Sequence, residues 1–167
     1  MKKLLFIATA AVLLFASTSV NAQIKVGGGV AYGSSISSIG ISANGEYAIN
    51  EEWDAAAGFT YFFEQNYLSW SALDLDAHYT FTEIEGFGKL YGIAGLNMLF
   101  FSYNIPSIDL GEYGSYDGGS STASSAGLNL GIGTKIGLNE KMTLAPEIKY
   151  AVGNNFFQVG VKIFFSL

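Results

Sequence analysis

Residues 73–81 read LDLDAHYTF, setting Asp74, Asp76 and His78 at every second place among Leu73, Leu75, Ala77, Tyr79 and Phe81. Successive side chains of a strand face opposite sides. This period of two therefore predicts one apolar face and one face carrying two carboxylates and the only histidine of the chain. The same alternation predicts eight strands, approximately over 24–33, 38–48, 53–64, 69–82, 88–103, 125–138, 141–152 and 155–167. Most run 10 to 14 residues, longer than the roughly five or six of soluble strands and close to what a tilted membrane strand requires. No helical period competes with this pattern.

Faces separate clearly in several segments. In 125–138, Ala126, Leu128, Leu130, Ile132, Ile136 and Leu138 oppose Gly127, Asn129, Gly131, Gly133, Lys135 and Gly137. In the last segment Phe157, Val159, Val161, Ile163, Phe165 and Leu167 oppose Gln158, Gly160, Lys162 and Ser166. A soluble sheet would send its minor face into water and crowd it with long charged side chains. Here that face is mostly Gly, Ala, Ser, Asn and Thr with isolated charges, which suits the narrow interior of an eight-stranded barrel whose larger side chains face lipid. The charges expected inside are Lys25, Lys135, Lys149 and Lys162 against Glu46, Asp54, Asp74, Asp76 and Glu147, with His78 beside them. Charges withdrawn from water need partners, and this set is nearly balanced.

Three places break the pattern. Segment 89–103 carries apolar residues at both parities, so no face is assigned there. Pro146 lacks a ladder donor, which predicts a bulge. Trp70 shares the parity of Asp74, which suggests a bulge or shift of register near Ala72.

The connections alternate in character. Short acidic turns at 50–52, 83–87 and 139–140 contrast with 65–68 and the long Ser-, Gly- and Tyr-rich loop 104–124. Tyr47, Trp53, Tyr79, Phe81 and Phe87 gather near the short turns. Tyr32, Tyr61, Phe63, Tyr67, Trp70, Phe101, Tyr103, Tyr150 and Phe157 gather near the loops, as two interfacial aromatic girdles would.

The N-terminus changes the picture of place. Met1-Lys2-Lys3, an apolar run over 4–16 and a small-residue end, Val20-Asn21-Ala22, predict a secretory signal peptide over 1–22, leaving residues 23–167 as one barrel domain. With Lys2 and Lys3 removed, 6 Lys and no Arg stand against 14 acidic residues, a net charge of −8. That balance argues against nucleic acid as a partner. The chain has no Cys, so disulfides and thiolate metal sites are excluded. Half of its residues are hydrophobic and only 13% charged, an apolar composition for a secreted soluble domain.

These features together resemble the small eight-stranded outer-membrane barrels of the OmpA/OmpX type, often grouped as a porin family. The resemblance rests on the signal peptide, the eight alternating segments, the strand LYGIAGLNM (90–98) and the closing strand FFQVGVKIFFSL (156–167). It implies an all-β, up-and-down transmembrane barrel in a Gram-negative outer membrane. Its partners would be the surrounding lipids and, through the C-terminal strand, the barrel-assembly machinery. The barrel is expected to be a monomer.

None of these motifs specifies an activity. His78 invites a hydrolytic reading, but the nearest serines on its strand, Ser69 and Ser71, lie at least seven positions away, so no catalytic residue is assigned. Asp74, Asp76 and His78 invite a metal, yet three ligands on one strand seldom converge, and no metal or cofactor is expected. Gly27-Gly28-Gly29 lacks the Lys-Ser/Thr and the helix of a phosphate loop. Asp109, Glu112, Tyr113, Tyr116 and Asp117 mark loop 104–124 as the surface through which an external partner would bind, against the plainer reading of a flexible solvated loop. The expected role is thus non-enzymatic, in envelope integrity or surface interaction. The alternatives are a narrow ion or small-solute pore, a lipid A-modifying enzyme, and a soluble periplasmic lipocalin-like ligand binder.

Overall fold

Eight long strands close into one antiparallel ring in the computed structural model, which describes residues 24–109, 115–116 and 118–167. They are β1 (Ile24–Gly33), β2 (Ser38–Ala48), β3 (Trp53–Gln65), β4 (Leu68–Ile84), β5 (Gly88–Ile105), β8 (Gly119–Gly137), β9 (Met142–Val152) and β10 (Phe156–Ser166). Two short strands, β6 (Ile108–Asp109) and β7 (Ser115–Tyr116), pair with each other apart from the ring. Each long strand pairs with its sequence neighbours. β1 meets β10 from Lys25↔Ser166 to Gly33↔Gln158, which closes the sheet and leaves no free edge. The expected signal peptide lies outside the described residues.

Turn chemistry fixes the two ends differently. Asn50 Oδ1 accepts hydrogen bonds from the backbone N–H groups of Glu52 and Trp53, at 2.9 and 2.8 Å. Asn139 Oδ1 does the same for Lys141 and Met142, both at 2.9 Å. An asparagine side chain thus builds two of the three short turns at this end. At the other end Asn66 and Tyr67 take φ of 52° and 64°, the two consecutive left-handed residues of a two-residue hairpin.

The alternation read from the sequence places large apolar side chains outside and polar ones inside. Ile132 is 61% exposed and Ile39 58%, whereas His78 and Asn97 are buried. The interior is tight enough that large residues sit over glycines of adjacent strands. A Cβ on Gly133 would lie 2.5 Å from the Tyr91 ring, and one on Gly33 would lie 2.9 Å from Phe156 and 3.0 Å from Phe62. Gly27 likewise makes room for Phe164, and Gly131 for Lys149.

Several expectations need correction. The inner face is not confined to small and charged residues, since Phe62, Tyr91, Ile93, Leu99, Phe156 and Phe164 are buried there. The odd positions of β5 face inward, which assigns the strand that the sequence left open. No register shift occurs near Ala72. β4 keeps one register with both neighbours through Trp70, Ala72 and Asp74, and the irregularities lie between Phe62 and Gln65 and between Thr80 and Thr82. Trp70 and Phe101 therefore belong to the lumen and not to an aromatic girdle. Pro146 makes no bulge either. Its pairing with Val161 keeps register, and the β8–β9 ladder is interrupted between Gly133↔Glu147 and Ile136↔Leu144 without shifting. Finally, β5 and β8 stay paired to Ile105↔Gly119, so both ends of the expected loop 104–124 are strand.

Candidate functional site

The barrel interior gathers all ten polar residues expected there, drawn from seven of the eight strands. Near the turn end, Glu46 of β2 meets Lys25 of β1 at 3.1 Å, Lys135 of β8 at 2.8 Å and His78 Nδ1 of β4 at 3.4 Å. Lys135 also reaches Asp54 of β3 at 2.6 Å. Lys25 and Glu46 face each other across the β1–β2 ladder, and Asp54 and His78 across the β3–β4 ladder, so pairing of strands brings the charges together. His78 is fully buried and stacks on Tyr91, with ring centroids 4.7 Å apart.

Midway along, Lys162 of β10 pairs with Glu147 of β9 at 2.6 Å, and the Tyr91 hydroxyl donates to the other Glu147 oxygen at 2.9 Å. Above this, Lys149 of β9 reaches Asp74 at 2.6 Å and Asp76 at 3.1 Å. Asn129 Nδ2 donates to both aspartates, at 2.8 and 2.9 Å, and Asn97 Nδ2 to Asp74 at 2.7 Å. The Asp74 and Asp76 oxygens are thus occupied by donors. Among the described residues no group of three or more His, Cys, Asp or Glu is arranged to hold a metal ion.

The loop end is filled by a different chemistry. Phe62 and Phe156 meet edge to face at 5.5 Å, and Trp70 packs on Phe156 at 6.0 Å and on Phe101 at 5.4 Å. Ala31, Ile36, Ala72, Leu99 and Ala151 complete this apolar cluster. On its β8 side, Asn154 Nδ2 donates to Asn97 Oδ1 at 2.8 Å while Asn154 Oδ1 accepts from Ser125 Oγ at 2.6 Å. Among the described residues, ion pairs occupy the turn-side half of the lumen and aromatics the loop-side half, and the charged half is the inverse of the apolar calyx that a lipocalin-like binder needs.

Similar solved structures share this architecture. The crystal structure of Neisserial surface protein A aligns with a TM-score of 0.63 at 16% identity, covering 89% of this chain and 98% of that one. The N-terminal barrel domain of Pseudomonas aeruginosa OprF gives 0.61 at 13%, covering 87% and 97%. The fold is that of the small outer-membrane barrels. Ail, the attachment invasion locus protein of Yersinia pestis, gives 0.55 at 14%, covering 87% and 95%. No protein-family model matches the sequence, and no curated protein matches it.

Tyr91, Asn97, Asn154 and the inward aromatics were missed as interior residues. Asn129 was placed on the minor, inward face of its segment, but not joined to the charges it bonds. Tyr91 carried no usable signal, since both parities of its strand are apolar. Of the expected surface residues, Asp109 pairs with Ser115 and Tyr116 with Ile108 in the outer ladder. Glu112, Tyr113 and Asp117 lie outside the described residues.

Proposed function

We propose that the chain is a non-enzymatic, integral outer-membrane barrel with a sealed lumen. The observation that carries this reading is the inverted distribution of polarity. A closed ring leaves no unpaired backbone edge in lipid, the outer wall is apolar, and the charges are paired inside. His78 favours a structural part in this, since it is fully buried, stacked on Tyr91 and 3.4 Å from Glu46. An eight-stranded lumen filled in this way also speaks for a seal over a conducting pore.

Within that reading, surface interaction is favoured by one feature. β5 and β8 run 18 and 19 residues against 10 to 13 for β1, β2, β3, β9 and β10, so they carry a hairpin beyond the rim. Ail is named for attachment and invasion, and one of its structures holds the heparin analogue sucrose octasulfate. The loop-side connections of this chain, 34–37, 66–67, 106–118 and 153–155, contain no Lys, Arg or His. A partner here would therefore be neutral or cationic.

Cell fractionation with gels run on boiled and unboiled samples tests the barrel, which should give a heat-modifiable band in the outer membrane. A soluble periplasmic band without a heat shift would overturn it. Replacing 106–118 by a short turn should keep the heat shift and abolish adhesion to a host-cell layer. Retained adhesion would move the role from the hairpin to envelope integrity.

A further inference from the structure

The interior leaves a small space where its two halves meet. Gln158 of β10 stands two residues from Phe156 of the aromatic plug and four from Lys162 of the ion pairs, all three with the same inward parity. Beside it is a cavity of about 10 Å³, lined among others by Ser42, Glu147, Lys149, Gln158, Gly160 and Lys162. Gly160 helps to keep it open. A Cβ there would project inward, 3.1 Å from Val30 O and 3.3 Å from Ala31 Cβ, and both of those residues line the same cavity.

The groups around this cavity are polar, deeply buried and incompletely bonded. Gln158 is 6% exposed, and its amide makes no hydrogen bond to a described residue. Lys162 is 8% exposed and directs one of its three N–H donors to Glu147, at 2.6 Å. Ser42 Oγ accepts from Asn44 Nδ2 at 2.9 Å, which leaves its own O–H without an acceptor among the described residues. A buried amide left unpaired is destabilising, and a water supplies both donors and acceptors. Volume and charge restrict the occupant further. One water needs about 10–15 Å³, and any organic group needs more. A metal cation would face Lys149 and Lys162, and an anion would face Glu147. Resting on the sealed-lumen reading above, we infer that the site holds one trapped water molecule, which bridges the Gln158 amide to Lys162 and Ser42. The aromatic plug closes it on the loop side and the Lys162–Glu147 pair on the turn side.

Crystals of the refolded full chain, grown with sodium bromide, test the site. The wild type should show a spherical density peak beside Gln158 with no bromide anomalous signal. Gln158→Met keeps the volume, removes both polar atoms and should lose the peak. Gly160→Ala adds a methyl group to the cavity wall and should expel the water as well. Heat-modifiable bands on gels check that each variant folds. An empty wild-type cavity, a bromide signal at the site, or an undiminished peak in Gln158→Met overturns the water. Single-channel recordings judge the seal separately. A stable conductance with the peak in place sinks the sealed-lumen reading and upholds the water, whereas a silent barrel with an empty cavity sinks the water alone.

Discussion

The two ends of the barrel fill the same narrow bore with opposite chemistry. At the turn end Lys25, Glu46, Asp54 and Lys135 form a connected set of ion pairs with His78 beside Glu46, framed by two asparagine-built turns. At the loop end Phe62, Trp70, Phe101 and Phe156 pack as an apolar plug. Ion pairs demand particular partners at particular heights, so they pin the register of strands far apart in sequence. Aromatic packing demands volume, and Gly33 and Gly40 supply it. The turn end therefore constrains register, and the loop end fills volume.

Breaking the ionic end should have the largest effect. Lys135→Met leaves Glu46 and Asp54 without their shared lysine, and an uncompensated buried charge is destabilising by about 3–5 kcal/mol. Urea unfolding in micelles, compared with wild type, measures it. A loss under about 1 kcal/mol would mean that water reaches these carboxylates, since solvated pairs contribute no more than that.

Overpacking the apolar end should be the next largest. Gly33→Val drives a side chain into Phe156 and Phe62, for about 1–3 kcal/mol in the same assay. A Cβ on Gly137 meets nothing within 4 Å, so Gly137→Val is the matched control. Equal losses at both positions would show that the effect is one of strand propensity and not of packing.

The same contrast explains what the sequence revealed. β1 and β2 run exactly where alternation put them, 24–33 and 38–48, because each has bulky residues on one face and small or charged ones on the other. The ion pairs were legible for the same reason, since a charge at inward parity has nowhere else to go. β5 was not, because Tyr91, Ile93, Leu99 and Phe101 point inward while Leu90, Leu96 and Met98 point outward, and periodicity vanishes when both faces are apolar. Trp70 was misplaced by the assumption that aromatics belong outside. Pro146 misled differently: its missing donor can be absorbed by a gap as well as by a bulge, and only the register distinguishes them.

A smaller, spectroscopic effect separates inside from outside at the two ends. Trp53 is exposed on the outer wall near the turns, beside Tyr79 at 4.8 Å, and Trp70 lies within the plug. They are the only tryptophans. In vesicles of acyl-brominated lipid, Trp70→Phe leaves a strongly quenched fluorophore, and Trp53→Phe leaves one shielded from lipid and from aqueous acrylamide. Strong quenching of both would place Trp70 on the girdle after all.

The smallest expected effect is a null. Lys89 and Lys141 lie at the turn end, while the loop-side connections hold no cation and Glu64 stands exposed on their rim. A sulfated polysaccharide approaching from the loop side thus meets no cation in these connections, only carboxylates, whose repulsion reaches about 10 Å at 0.1 M salt. Immobilised heparin should not retain the refolded barrel, even at low ionic strength. Gln65→Lys with Ser121→Lys, both at exposed positions, should introduce weak retention that salt abolishes. Retention of the wild type would mean that recognition at this end does not follow its charge, and the expectation of a neutral or cationic partner would fall.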